Sequence, residues 1–283
     1  MINSIIWNAN PEIFSIGSLS VRWYGLLFAL GIVASYYALQ YIFQKEKLPQ
    51  TMLDRFAVWA VLATVVGARL GHVLFYEPEY FFAHPSEILM VWHGGLASHG
   101  ATIGLILTVI FFSLKYKIPM LWLFDRMAVI VPVAAGSIRL GNLMNSEIFG
   151  HATSLPWGFV FKRADEFANS PLKDIPACHP TQLYEALVYF SLFIAMILWY
   201  RHKKGAIQGG LFVGVMFLVI FIARFLIEFI KNDQVGFEQG MALNMGQILS
   251  IPFILLGLLF IFLAFKLKKT PTVQIPKQFA GKP

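Results

Sequence analysis

Runs of about twenty apolar residues, separated by short polar stretches, follow one another along the chain. Seven stand out, at about 22–43, 53–76, 94–114, 121–139, 181–200, 208–230 and 245–266. Each is close to the roughly 20 residues an α-helix needs to cross about 30 Å of hydrocarbon. The pattern therefore predicts an all-α integral membrane protein with seven transmembrane helices. The connections give it a direction. "QKEKLPQTMLDR", "KYK", "RHKKG" and the tail "KLKKTPTVQIPKQFAGKP" are basic, and all four share one side if the spans alternate. Basic connections mark the cytoplasm, so the N-terminus is expected outside and the C-terminus inside.

The chain 1–283 reads as a single polytopic membrane domain. Its segment 140–180 is expected as a small extracytoplasmic head resting at the outer interface through Trp157, Phe159, Phe161 and Phe167. Residues 267–283 are expected as a flexible basic cytoplasmic tail able to meet anionic lipid. No internal repeat of the kind many transporters carry is visible.

Composition sharpens this picture. The chain is 58% hydrophobic and 13% charged, where a soluble domain would carry about 25% charged residues. The first twenty residues show no cleavable signal peptide pattern. A formal charge of +7 first reports orientation in such a protein, and no nucleic acid is expected as partner. Cys178 stands alone, which excludes an intramolecular disulfide.

The polar residues of the spans fall towards their outer ends. Arg22 and Tyr24 open the first span, and Arg69, His72 and Tyr76 close the second. His93 and His99 open the third, Arg139 and Asn142 end the fourth, and His179, Gln182 and Tyr184 begin the fifth. Arg224, Glu228 and Lys231 end the sixth, and Asn244 and Gln247 start the seventh. An ionisable group inside a span costs about 2.5–3.5 kcal/mol at mid-helix, so it is kept with a partner or for a task. Arg224 and Glu228 at i, i+4 can simply neutralise each other. Arg69, Arg139 and Arg224, however, come from three spans, with only Glu147 and Glu228 as nearby acids in the sequence. That excess of cation suits an anionic ligand, and the guanidinium fork suits phosphate oxygens. The natural amphipathic phosphate in such a place is a phospholipid head.

Two stretches carry most of the chemistry. "RLGNLMNSEIFG", Arg139 to Gly150, packs an arginine, two asparagines and a glutamate into nine residues. "WHGGLASHGATIG", Trp92 to Gly104, places Gly94, Gly95 and Gly100 around His99, where the backbone can approach closely. His93, His99 and His179 lack the spacing or cysteine partners of a zinc site, so no metal and no cofactor are expected. Cys178 beside His179 reads as a small buried hydrophobe rather than a nucleophile.

Those stretches resemble the prolipoprotein diacylglyceryl transferase family. The family pattern runs roughly Gly-Arg-x-Gly-Asn-Phe-x-Asn-x-Glu-x-x-Gly, and Arg139, Gly141, Asn142, Asn145, Glu147 and Gly150 fit it. "VRWYGLLFALG", "GARLGHVLFY", "WHGGLASHG", "HPTQLYEA", "RFLIEFIK" and "NMGQILSIP" look like family blocks in family order. Ile138 and Leu143 depart from the pattern's Gly and Phe, and Lys231 stands where Arg is frequent.

The resemblance implies transfer of a diacylglyceryl group from phosphatidylglycerol to the lipobox cysteine of a prolipoprotein signal peptide. A thioether forms and glycerol 1-phosphate leaves. It implies a bacterial cytoplasmic (inner) membrane enzyme with membrane lipid around it and its site facing the outer leaflet. His99 becomes the candidate base, and Arg139 and Arg224 the phosphate-facing cations. Tyr24, Gly100, Asn142, Asn145, Glu147 and Glu228 become substrate-binding or positioning groups, with Glu147 equally able to serve as counter-ion to Arg139. Other readings are a transporter for an anionic solute, which calls for midplane polarity and repeats, and a lipid-binding scaffold, which needs no histidine.

Overall fold

The computed structural model describes residues 4–17, 19–91, 94–232, 240–266 and 273–279. In chain order the elements are β1 (Ile5–Trp7), β2 (Glu12–Ile16), β3 (Leu19–Arg22), α1 (Trp23–Lys45), α2 (Gln50–Phe75), α3 (Pro78–Ala83), α4 (Ser98–Tyr116), α5 (Met120–Met144), β4 (Phe159–Phe161), α6 (Thr181–His202), α7 (Leu211–Ile227) and α8 (Met245–Lys266). Seven of these helices are long and apolar enough to cross a membrane: α1, α2, α4, α5, α6, α7 with its 3-10 extension to Ile230, and α8. They answer the seven apolar runs one for one.

The largest shifts in boundary have local causes. α4 starts at Ser98 rather than near 94, because Gly94 and Gly95 take left-handed dihedrals (φ 89° and 68°) that end any helix there. α5 continues to Met144, so Arg139 and Asn142 sit on the helix rather than past its end.

The chain divides into two compact units, residues 1–38 with 127–268 and residues 39–126 with 269–283. In the first, α7 and α8 pack where two glycines meet. A Cβ on Gly214 would lie 2.9 Å from the Gly257 carbonyl. The Phe221 and Phe253 rings stack there with centroids 4.3 Å apart. Near the start of α1, Gly31 gives Ser137 of α5 room to approach.

β1 pairs in parallel with β4, and Phe159, Phe161, Leu143, Phe149, Ala164 and Cys178 form a small core with Trp7 and Phe167 against it. Three of the four aromatic residues expected at the interface thus build this core. Only Trp157 stays exposed, its Nε1 donating to Tyr184 Oη at 2.9 Å.

In the second unit α2 and α4 cross at four glycines, Gly67 and Gly71 against Gly100 and Gly104. Small residues spaced four apart let two membrane helices touch backbone to backbone. Trp122 Nε1 and the Arg126 guanidinium hold the Glu46 carboxylate at 2.7 Å and 2.6 Å. Of the tail expected over 267–283, residues 273–279 are described. Phe279 is buried there against the Tyr116 ring, with centroids 4.9 Å apart.

Candidate active site

The end of α5 is the first structural answer to the "RLGNLMNSEIFG" stretch. Ser146 N–H bonds the Leu143 carbonyl at 3.0 Å and Glu147 N–H the Asn142 carbonyl at 3.1 Å. That is the paired bonding of a Schellman helix end, whose left-handed position is usually glycine. Here it is Ser146, with φ 56°, and Ile148 follows with φ 61°. Non-glycine residues in this region cost about 1–3 kcal/mol each and persist only where surrounding contacts force them.

The contacts come from α6. Thr181 Oγ1 donates to the Ile148 carbonyl at 2.8 Å, and Gln182 Nε2 to the Glu147 carbonyl at 2.5 Å. Trp7 Nε1 closes the Leu143 carbonyl at 2.9 Å. Gly150 lies between the residues before α6 and those after α7, where a Cβ would strike the Ile230 carbonyl.

The turn fixes Glu147. Its Oε1 accepts from Asn142 Nδ2 at 2.7 Å and Asn145 Nδ2 at 3.2 Å. Asn142 on α5 and Asn145 just past its end thus meet at the glutamate and hold it. Tyr24 lies on Gly141, where a Cβ would come within 2.8 Å of the ring.

Arg139 has a different partner from the one the sequence offered. Its Nε sits 2.7 Å from Glu185 Oε2, and its Nη1 donates to Asn142 Oδ1 at 3.3 Å. Glu185 belongs to α6 and is 1% exposed. The sequence reading overlooked it. Its signal was a lone carboxylate in the second turn of an apolar span, three residues after Gln182 on the same face.

Beyond Glu185 the charges continue. Lys231 Nζ lies 3.8 Å from Glu185 Oε1 and 3.1 Å from Glu228 Oε1. Arg224 Nη2 lies 3.6 Å from the same Glu228 oxygen. Among the described residues of this ion-paired series, three cations face two carboxylates, and the Glu147 carboxylate lies beyond Asn142 from Arg139. Arg139 reaches Lys231 through Glu185 and Arg224 reaches it through Glu228, so α5 and α7 bring both arginines onto one series of ion pairs.

α8 supplies the last wall. Asn244 and Gln247 form a reciprocal capping box, Gln247 N–H to Asn244 Oδ1 at 2.9 Å and Asn244 N–H to Gln247 Oε1 at 3.1 Å. Asn244 Nδ2 is thereby held 3.3 Å from Glu228 Oε2. Gly246 leaves space for that carboxylate, since a Cβ there would lie 2.5 Å from Glu228 Cδ.

Arg69, His99 and Gly100 belong to the second unit. Arg69 is committed to backbone: Nε to Ile88 O at 2.9 Å, Nη1 to Gly94 O at 2.7 Å, and Nη2 to Glu87 O at 2.5 Å. It staples the loop before α4 and so is not the free cation its position suggested. Gly100 is a packing residue, its missing Cβ making way for the Gly67 carbonyl. His99, in the first turn of α4, is exposed and stacks on Tyr76 with centroids 5.7 Å apart. His93 lies outside the described residues. Cys178 is buried in the small core, and burial pushes its thiol up to about 11, far from a ready nucleophile. His179, before α6, is lowered by burial and by nearby His151.

A family model described as Prolipoprotein diacylglyceryl transferase matches residues 11–263. The phosphatidylglycerol–prolipoprotein diacylglyceryl transferase of Porphyromonas gingivalis is 45% identical over 278 residues, covering 95% of this chain and 97% of the relative. The enzyme of the same name from Tolumonas auensis is 42% identical over 265 residues, covering 93% and 99%. That of Bacteroides fragilis is 40% identical over 280 residues, covering 95% and 98%.

Proposed function

The chain belongs to the prolipoprotein diacylglyceryl transferase family, a membrane transferase of the first step in lipoprotein maturation, and we propose how its own residues carry that step. Phosphatidylglycerol and a prolipoprotein are its substrates. The thiol of the lipobox cysteine attacks the carbon of the diacylglycerol moiety that is joined through oxygen to the phosphate. A C–S bond forms, the C–O bond to phosphate breaks, the thiol proton goes to a base, and glycerol 1-phosphate leaves. The reading needs neither metal nor cofactor, nor nucleic acid.

The observation that carries this reading is the cationic pair Arg139 and Arg224, drawn from α5 and α7 onto one series in which, among the described residues, three cations face two carboxylates. The phosphate changes from a diester with one negative charge towards a monoester with about two. Fixed guanidinium groups therefore hold the transition state more tightly than the ground state. Arg224 is the better placed for direct contact. Its side chain is 32% exposed and has a single ion-pair contact, at 3.6 Å, among the described residues. Glu147, held by Asn142 and Asn145, is the group to orient the glycerol or the incoming peptide. Glu228, held by Asn244, orients Arg224.

His99 is the candidate base, since an unperturbed thiol with pKa about 8.5 is only a few per cent ionised at neutral pH. The basic last turns of α1, α4, α6 and α8 share one side if the spans alternate. That supports a cytoplasmic C-terminus and a site opening to the outer leaflet of the bacterial inner membrane.

The test is a purified preparation with phosphatidylglycerol and a lipobox peptide, followed by glycerol phosphate release and by the mass gain on cysteine. His99→Gln is expected to lower turnover by about 10²-fold or more, as loss of general-base help does. Near-normal turnover in that variant would remove His99 from the base role. Absence of any release by the folded native chain would leave a lipid-binding scaffold.

A further inference from the structure

Glu185 and Lys231 are almost fully buried, at 1% and 2% exposure, so neither meets a lipid head or a peptide. Yet each lies between groups that the proposed reaction uses. Glu185 bridges Arg139 and Lys231, and Lys231 bridges Glu185 and Glu228. Glu228 in turn faces Arg224. Charges alternate along the whole path, from α5 through α6 to the segments around the end of α7. We infer that Glu185 and Lys231 are positioning residues of the transferase reaction, holding Arg139 and Arg224 in one shared orientation through the alternating series Arg139–Glu185–Lys231–Glu228–Arg224.

Three observations support this inference. Burying an acid and a base is costly, and a packed apolar pair of similar size would hold the helices together as well. The pair is therefore explained by what it orients. Secondly, neither oxygen of Glu185 receives a well-aligned hydrogen bond among the described residues. Charge from two sides is what holds the carboxylate, so removing either neighbour frees it to turn. Thirdly, Glu185 takes Arg139 by Nε. The guanidinium is a rigid plane, so a carboxylate charge held at its Nε edge sets the Nη groups towards the far end. A guanidinium set in advance needs no reorganisation as charge grows on the leaving phosphate.

The inference rests on Arg139 and Arg224 as the phosphate-facing cations, and the experiment separates the two ideas. The double variant Glu185→Gln/Lys231→Met removes one charge of each sign. Three cations against two carboxylates become two against one, so the net charge of the series is unchanged. Loss of activity in this variant reports orientation and not a weaker field. Arg139 loses its ion-pair partner in this variant, so the folded fraction is measured with the activity. Arg139→Gln is assayed beside it, with phosphatidylglycerol and a lipobox peptide. Activity is normalised to the folded fraction from thermal unfolding in the same detergent.

The expected result for the double variant is a kcat about 100-fold lower, as for a catalytic group displaced by about 1 Å. The KM for phosphatidylglycerol should stay within about threefold, because the interaction lost belongs mainly to the transition state. A kcat within threefold of native, with Arg139→Gln inactive, overturns the positioning role and leaves the phosphate-facing arginines standing. A raised KM with unchanged kcat overturns it as well, since that is loss of uniform binding. Native turnover by Arg139→Gln overturns the reading of the site and the positioning series together.

Discussion

Two arginines of this chain occur in nearly the same words. "ARLGH" at 68–72 and "IRLGN" at 138–142 each place Arg-Leu-Gly and a polar residue near the C-terminal end of an apolar helix. Their environments differ in kind. Arg69 meets backbone carbonyls of Glu87, Ile88 and Gly94, with the Phe81 ring 4.7 Å away. Arg139 meets a carboxylate and an asparagine side chain. The glycines differ in parallel, Gly71 facing the backbone of Gly100 and Gly141 facing the ring of Tyr24. Carbonyls belong to the chain path and cannot be exchanged, so Arg69 is part of the architecture. Side-chain partners can share an arginine with a ligand, so Arg139 can take part in chemistry.

The widest test of this contrast replaces each arginine by glutamine. Arg139→Gln is expected to cut kcat by about 10²–10³-fold, the loss seen when one preorganised transition-state donor goes. Its cost in stability is eased because Lys231 still faces Glu185. Arg69→Gln is expected to act the other way. It takes the charged donor from the part-buried carbonyls of Ile88 and Gly94, each such bond worth about 1.5–3 kcal/mol, so thermal unfolding falls while turnover per folded molecule changes far less. Equal effects of both variants on turnover per folded molecule would erase the contrast.

A smaller effect comes from the glycines. A Cβ on Gly71 would lie 2.8 Å from Gly100 Cα, and backbone cannot give way. Gly71→Ala is therefore expected to cost about 1–3 kcal/mol by overpacking. A Cβ on Gly141 would lie 2.8 Å from Tyr24 Cδ2, and a ring can move. Gly141→Ala should spare stability and lower activity by displacing Tyr24, as steady-state assay beside thermal unfolding would show.

Asn244→Ala gives the finest reading. It removes a helix cap worth about 1 kcal/mol together with a donor to Glu228. Asn244→Ser keeps a cap but not the reach to Glu228. Activity restored by Ser would make the cap, and not the contact with Glu228, the source of the effect.

Much of the fold was legible in the residues, because crossing a membrane is decided locally. Twenty apolar residues in a row either span or do not, and each of the seven runs is matched by a helix. Boundaries went astray where backbone dihedrals ruled, as at Gly94 and Gly95. Within the site, Asn142, Asn145 and Glu147 could be grouped from spacing alone, and they do meet. The Arg224–Glu228 pair follows from helical period in the same way.

What sequence could not supply was which helix faces which. Glu185 is separated from Arg139 by the whole of the segment 145–180, yet it is the closest acid to that guanidinium. The aromatic residues Phe159 and Phe161 looked interfacial until β1 paired with β4 and turned them into a core. Nor does any residue pattern announce that Ser146 and Ile148 take left-handed backbone. That conformation is imposed by Thr181 and Gln182, which reach it only after α6 has docked.

The sequence by itself determined the seven apolar helices, the family, and the residues that share a helical face. These follow from hydropathy and helical period, which act over a few turns. The tertiary structure decided that Arg69 is structural, that Arg139 pairs with Glu185, and that Lys231 links two buried carboxylates. Those choices depend on charges brought together across long stretches of chain. In a low-dielectric interior a buried charge must have a partner, and packing alone decides which one is near enough to serve.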